Sequence, residues 1–175
     1  MKKRILWITV TLLVVAITLQ HSITLEKTSA RSSSASTLTK ELKQRISAET
    51  RSLSESEIVA YSIKATAKEL TFSKKNNIQK GKANCIGYSR LCAEICNYAF
   101  KENGRTGCKA TPVVGQVYVC GVNLCTVAKS VVPKLYKGFV SDHDFVQIQL
   151  KGERPYYVDA CFYDYIFNDC KTADR

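Results

Sequence analysis

Three observations predict an α+β domain. Apolar residues recur at helical spacing from Leu38 to about Phe100, and beyond Pro112 they alternate with a period of two. The last two alternating runs are separated by a turn, Lys151-Gly152-Glu153-Arg154-Pro155. Helices that precede a run of strands joined by short turns pack against an antiparallel sheet, because each element has one apolar face to bury.

At the N-terminus, Lys2, Lys3 and Arg4 precede an uncharged apolar run from Ile5 to Leu19. Cations ahead of an apolar stretch have the form of an export signal. Read on to Leu25, the stretch approaches the ~20 residues of a membrane span. Residues 1–25 are therefore expected to be a signal peptide or membrane anchor, with the membrane as a partner and the domain outside the cytoplasm. Residues 26–37, EKTSARSSSAST, are rich in Ser and Thr and lack apolar periodicity, which predicts a flexible tether. The folded domain is expected over residues 38–175.

Within it, Leu38, Leu42 and Ile46 predict a short amphipathic helix. Ser54 and Glu57 form a capping box, which satisfies backbone donors at the start of a second helix carrying Ile58, Val59, Ile63, Ala67 and Leu70. A polar loop, 73–83, leads to Asn84, an N-cap residue type, and to a helix over about Cys85–Phe100 that Gly104 ends. At 100° per residue Cys85, Cys92 and Cys96 share one face, turned to the core with Cys85 at its mouth. Strand signals follow at Val113–Val119, at His143–Leu150 and at Tyr156–Asp159, while residues 121–142 carry no clear pattern and the chain closes on a short tail.

The formal charge is +11, and beyond residue 35 the chain holds 21 Lys/Arg against 14 Asp/Glu, an excess of +7. The basic residues are scattered, and no zinc-finger spacing or aromatic–basic RNA motif occurs, so no specific nucleic-acid partner is expected. The eight cysteines suggest disulfides if the domain is exported. The acidic residues do not cluster into a calcium loop, and Cys85, Cys92, Cys96 and His143 spread over two to three helical turns, too far for one ion; no metal and no cofactor is expected.

The chemistry-bearing residues are Cys85, His143 and Asp159. His143 is one of only two histidines, the other being His21 in the N-terminal segment. The first turn of a helix favours a thiolate, because its unpaired N–H groups and macrodipole attract negative charge. Cys85 falls there, directly after a capping residue. An imidazole beside it takes up the thiol proton and returns it to a leaving group. A carboxylate on a neighbouring strand fixes that ring's tautomer. Asp159 serves this role if it shares a face with His143, which across a separation of sixteen residues requires an odd-length turn or a bulge. Asp144, next to His143, points to the opposite face.

The blocks Asn84-Cys85-Ile86-Gly87-Tyr88-Ser89, Asp142-His143-Asp144-Phe145-Val146-Gln147-Ile148 and Tyr156-Tyr157-Val158-Asp159 resemble the three signature blocks of the transglutaminase-like superfamily, which includes bacterial exported papain-like domains. The resemblance covers roughly residues 55–165. It implies a papain-like core in which the helix bearing the nucleophile packs on the sheet. Cys85 is then the nucleophile, His143 the base and Asp159 the orienting acid. It also implies cleavage or exchange of amide bonds in a peptide or protein substrate through a thioester. Papain-like proteases carry an oxyanion-donating glutamine ahead of the nucleophile, and Gln79 lies six residues before Cys85. The alternative is an inactive domain of the same fold that serves as a binding or scaffolding module, with Cys85 in a disulfide.

Overall fold

A computed structural model describes residues 23–31, 37–124, 126–127, 142–166 and 171–173. The order of elements is β1 (Ile23–Ala30), α1 (Lys40–Thr50), α2 (Glu55–Glu69), β2 (Thr71–Phe72), a 3-10 turn (Ile78–Lys80), β3 (Lys82–Ala83), α3 (Cys85–Glu102), β4 (Lys109–Val119), β5 (Val122–Asn123), β6 (His143–Gln149), β7 (Tyr156–Val158), α4 (Ala160–Ile166) and β8 (Thr172–Ala173). The main sheet runs β1-β4-β6-β7-β8, with β5 also on β4, and every pair in it is antiparallel. The α+β class is as expected: a curled antiparallel sheet with helices packed against it.

The helices form where the sequence places their caps. Thr39 accepts from Leu42 N at the start of α1. Both halves of the Ser54–Glu57 capping box are made at the start of α2. Asn84 Oδ1 accepts from Ile86 N at 3.1 Å and opens α3. That helix is the centre of the larger core: Leu91, Cys92, Ile95, Cys96 and Phe100 pack against Ile58 and Ile63 of α2 and against Val146 and Ile148 of β6. On the other alternation of the sheet a smaller cluster joins Leu25, Val113, Val117, Phe145 and Tyr157.

Two expectations at the N-terminus are corrected. Among the described residues no helix is long and apolar enough to cross a membrane. The signal-anchor or transmembrane helix, and with it the membrane as a partner of the N-terminal apolar segment, is thereby overturned. Most of that segment, 1–22, lies outside the described residues, and its extension Ile23–Leu25 is strand. The Ser/Thr-rich tether is likewise not a tether from 26 to 30, because Ile23–Ala30 pairs with β4 from Ile23↔Val119 to Ala30↔Val113, with a bulge between Lys27 and Ser29. As an edge strand it buries only Leu25, so it has no apolar alternation to announce it. Gly115 lets it approach: a Cβ there would lie 1.9 Å from the Glu26 carbonyl oxygen. The rest of the tether, except Arg31 and Thr37, lies outside the described residues, as does most of the unassigned stretch 121–142.

The loop 73–83 is more ordered than its polarity suggests. It forms a parallel pair, Thr71↔Lys82 and Phe72↔Ala83, around the 3-10 turn, which Gly81 closes in the left-handed region. The closing tail contains α4, a helix absent from the sequence reading. No disulfide joins two described residues: Cys85, Cys92, Cys96, Cys108 and Cys161 are free thiols.

Candidate active site

Cys85 is the first residue of α3, held there by the Asn84 cap and by a second bond in which Asn84 N donates to Asn76 Oδ1 at 2.9 Å. Gly87, two residues on, has no room for a side chain, since its Cβ would lie 2.5 Å from the Ala83 Cβ and 2.7 Å from Asn76 Oδ1. The loop 76–84 therefore folds directly onto the first turn of α3. Cys85 is half-buried, whereas Cys92 and Cys96 below it are buried, as their shared face requires.

His143 opens β6 opposite Gly115 of β4. The β6–β7 register answers the question of facing. Val146 pairs with Val158 and Ile148 with Tyr156, leaving seven residues, 149–155, between the members of the last pair. That odd number puts Asp159, one step beyond β7, on the same alternation as Phe145 and His143. His143 Nε2 contacts Asp159 Oδ2 directly. The other oxygen, Oδ1, accepts from Cys161 N at 2.8 Å and from Phe162 N at 3.0 Å. Asp159 is thus both the partner of the histidine and the N-cap of α4.

The Cys85 thiol lies close enough to the same imidazole to help raise its pKa. With Nε2 taken by Asp159, Nδ1 is the nitrogen left for the sulfur. Phe162 and Phe145 flank the ring, with centroids at 4.9 and 6.4 Å. The carboxylate is 1% exposed and the imidazole 15%, so the pair is largely shielded while its cysteine side stays open. Burial works to lower the His143 pKa. The Asp159 charge and hydrogen bond, then the contact with Cys85, outweigh it and hold the ring well above the usual histidine range. The structure thus brings together Cys85, His143 and Asp159, three residues separated by 74 positions of chain.

Gln79 is exposed on the 3-10 turn ahead of α3 and has no hydrogen bond to the three. Asp144 points away from the site, as alternation predicts, and forms a bidentate pair with Arg31 at 2.6 and 2.9 Å. Asp164 accepts from the buried Tyr88 hydroxyl at 2.6 Å, and Leu70 O lies 3.2 Å from the same hydroxyl oxygen. Burial, then the bond to Asp164, raises the Tyr88 pKa above its usual range and keeps the phenol neutral. Neither Arg31–Asp144 nor Tyr88–Asp164 was legible in advance, since the partners lie 113 and 76 residues apart. Burial also pushes the Cys92 thiol up to about 12 and raises those of Cys96 and Cys161. Among the described residues no group of three or more His, Cys, Asp or Glu is placed to hold a metal ion.

No family model, curated protein or solved structure matches the chain. The functional reading therefore stands on the geometry of the site.

Proposed function

We propose that this chain is a transglutaminase-like thiol enzyme with a papain-like core, acting on amide bonds of a peptide or protein through a Cys85 thioester. The observation that carries the reading is the placement of the helix-terminal Cys85 beside the His143 imidazole, which is bound to an Asp159 carboxylate fixed by two backbone donors. Buried networks of this kind hold a ring in one orientation, which is what proton transfer to and from a nucleophile needs.

The steps follow from the atoms present. The Cys85 sulfur, its proton on His143, attacks the carbonyl carbon and forms a C–S bond. The tetrahedral oxyanion collapses as His143 gives its proton to the departing nitrogen, so the C–N bond breaks and the amine leaves. Water or a second amine then attacks the thioester while neutral His143 takes its proton. The C–S bond breaks, releasing an acid or a new amide and restoring the sulfur–imidazole pair. The raised His143 pKa suits the first half, where the ring must be a cation at neutral pH. The Cys85 N–H and the exposed Gln79 amide are the donors proposed for the oxyanion. The cations ahead of the apolar run 5–19 support placement outside the cytoplasm.

The test is alkylation by iodoacetamide near neutral pH, read residue by residue by mass spectrometry, in the intact protein and in His143→Ala. Cys85 is expected to label faster than every other thiol, and the mutant to slow it. Labelling of Cys85 no faster than Cys108 refutes the enzyme and leaves a binding module. Hydroxylamine added with a peptide substrate should intercept the thioester as a hydroxamate in the wild type but not in Cys85→Ser.

A further inference from the structure

A cavity lies on the flank of α3 against the first half of β4. It encloses about 280 Å³ and is lined by Arg31, Arg90 and Lys109, together with Glu94, Asn97 and the chain at Ala110–Pro112. Its polar walls are already engaged. Asn97 donates to Ala110 O at 2.7 Å and accepts from Ala110 N at 2.8 Å, which ties α3 to β4. Glu94 Oε2 accepts from Thr37 N and Oγ1 at 2.7 and 2.9 Å. Arg31 is committed to Asp144 through Nε and one terminal nitrogen.

What remains unengaged is cationic. Arg90 Nε is buried and has no hydrogen-bond partner among the described residues. Lys109 is exposed at the start of β4 and forms no salt bridge among the described residues. A buried donor of a charged group left unpaired costs free energy that an incoming acceptor recovers. A guanidinium presents its donors in a fork that matches the oxygens of a carboxylate or phosphate.

We propose that this cavity is a binding site for an oxyanion of the carboxylate or phosphate class, with Arg90 as the principal donor and Lys109 as the closing charge. Arg31, its charge offset by Asp144, supplies a fixed wall. The proposal does not rest on the Cys85 chemistry.

The test is a titration of the ¹⁵N-labelled full-length chain, observed by NMR at the Arg90 Nε–Hε correlation and at the Ala110 and Thr111 amides. Sodium phosphate and sodium acetate are the two probes, with sodium chloride holding ionic strength constant. A saturating shift is expected for at least one probe, with a dissociation constant on the order of a millimolar. Saturation by phosphate alone assigns a phosphate-type ligand, and by acetate alone a carboxylate. Arg90→Gln should weaken the binding about tenfold or more. Lys109→Ala, on an exposed side chain that the fold does not need, should weaken it about threefold or more and keeps the test open if the Arg90 variant fails to fold. Linear shifts equal to those of chloride alone, or affinity unchanged in Lys109→Ala, would overturn the proposal.

Discussion

Asp159→Asn separates the two roles of this carboxylate. The retained side-chain oxygen can still cap α4 by accepting from Cys161 N and Phe162 N, and Asn caps about as well as Asp. The cap should therefore survive, and with His143 neutral the fold should keep its stability to within about 1 kcal/mol. The other oxygen becomes an amide that donates toward Nε2. The ring must then accept there and carry its proton on Nδ1, facing the sulfur. The charge that opposed burial is also gone. An adjacent opposite charge is worth about 1–3 pKa units, or ~1.4–4 kcal/mol, to the charged form. The Cys85–His143 pair should lose population by a factor of about 10 to 1000. Iodoacetamide alkylation of Cys85 against pH measures this directly. NMR titration of the His143 ring supplies the second readout, simple to assign because His21 is the only other histidine. The expected result is a His143 titration moved well down from its wild-type position, with Cys85 labelling slowed at neutral pH and far-UV circular dichroism unchanged. If His143 titrates at the same pH in Asp159→Asn as in the wild type, the reasoning fails.

Further outcomes concern stability. With Cys85→Ser as background, the protonated His143 contributes stability because its folded-state pKa is raised above the unfolded value. That contribution is fully present below about pH 6.5 and is lost as the pH rises through the folded value. The advantage of this background over the same chain with His143→Gln, from urea midpoints, should be greatest near pH 6 and shrink toward about pH 10. Gly87→Ala should destabilise by about 1–3 kcal/mol in urea, because both atoms its Cβ meets belong to the loop that positions Cys85. Tyr88→Phe leaves Asp164 without its donor and should cost about 1–3 kcal/mol. Gly115→Ala should force β1 off β4, seen as lost hydrogen-exchange protection over Ile23–Ala30, while the amides of α3 stay protected.

What could be read in the sequence was what repeats locally. The caps Ser54 and Asn84, the three-cysteine face of α3 and the alternation of β6 are one-dimensional signals, each realised with bounds a residue or two from expectation. What could not be read depends on partners. β1 buries one residue in eight and is a strand because Gly115 leaves room for it, not because of its own pattern. Asp144 was correctly turned from the site by parity, but nothing local pointed to Arg31. α4 was missed for a different reason. Its seven residues, ACFYDYI, are too short and aromatic for propensity to announce them, and its cap had already been assigned to catalysis.

That shared assignment makes the site economical. An orienting carboxylate in a buried place needs its second oxygen satisfied, or burial would protonate it and the histidine would lose its anchor. The first turn of α4 supplies the two donors at 2.8 and 3.0 Å. The helix in turn carries Phe162, whose ring closes over His143 at 4.9 Å. One carboxylate thereby fixes the imidazole's tautomer, starts the helix and brings in the aromatic ring that packs on the imidazole. The seven residues between Ile148 and Tyr156, the last β6–β7 pair, set the parity that lets a single strand end deliver all three. A chain with Asp159 replaced by Ala should lose them together: α4 by hydrogen exchange, the raised His143 titration by NMR, and fast Cys85 labelling by mass spectrometry. Loss of the last two with α4 intact would show that the helix is held by its packing on α2 and α3 rather than by its cap.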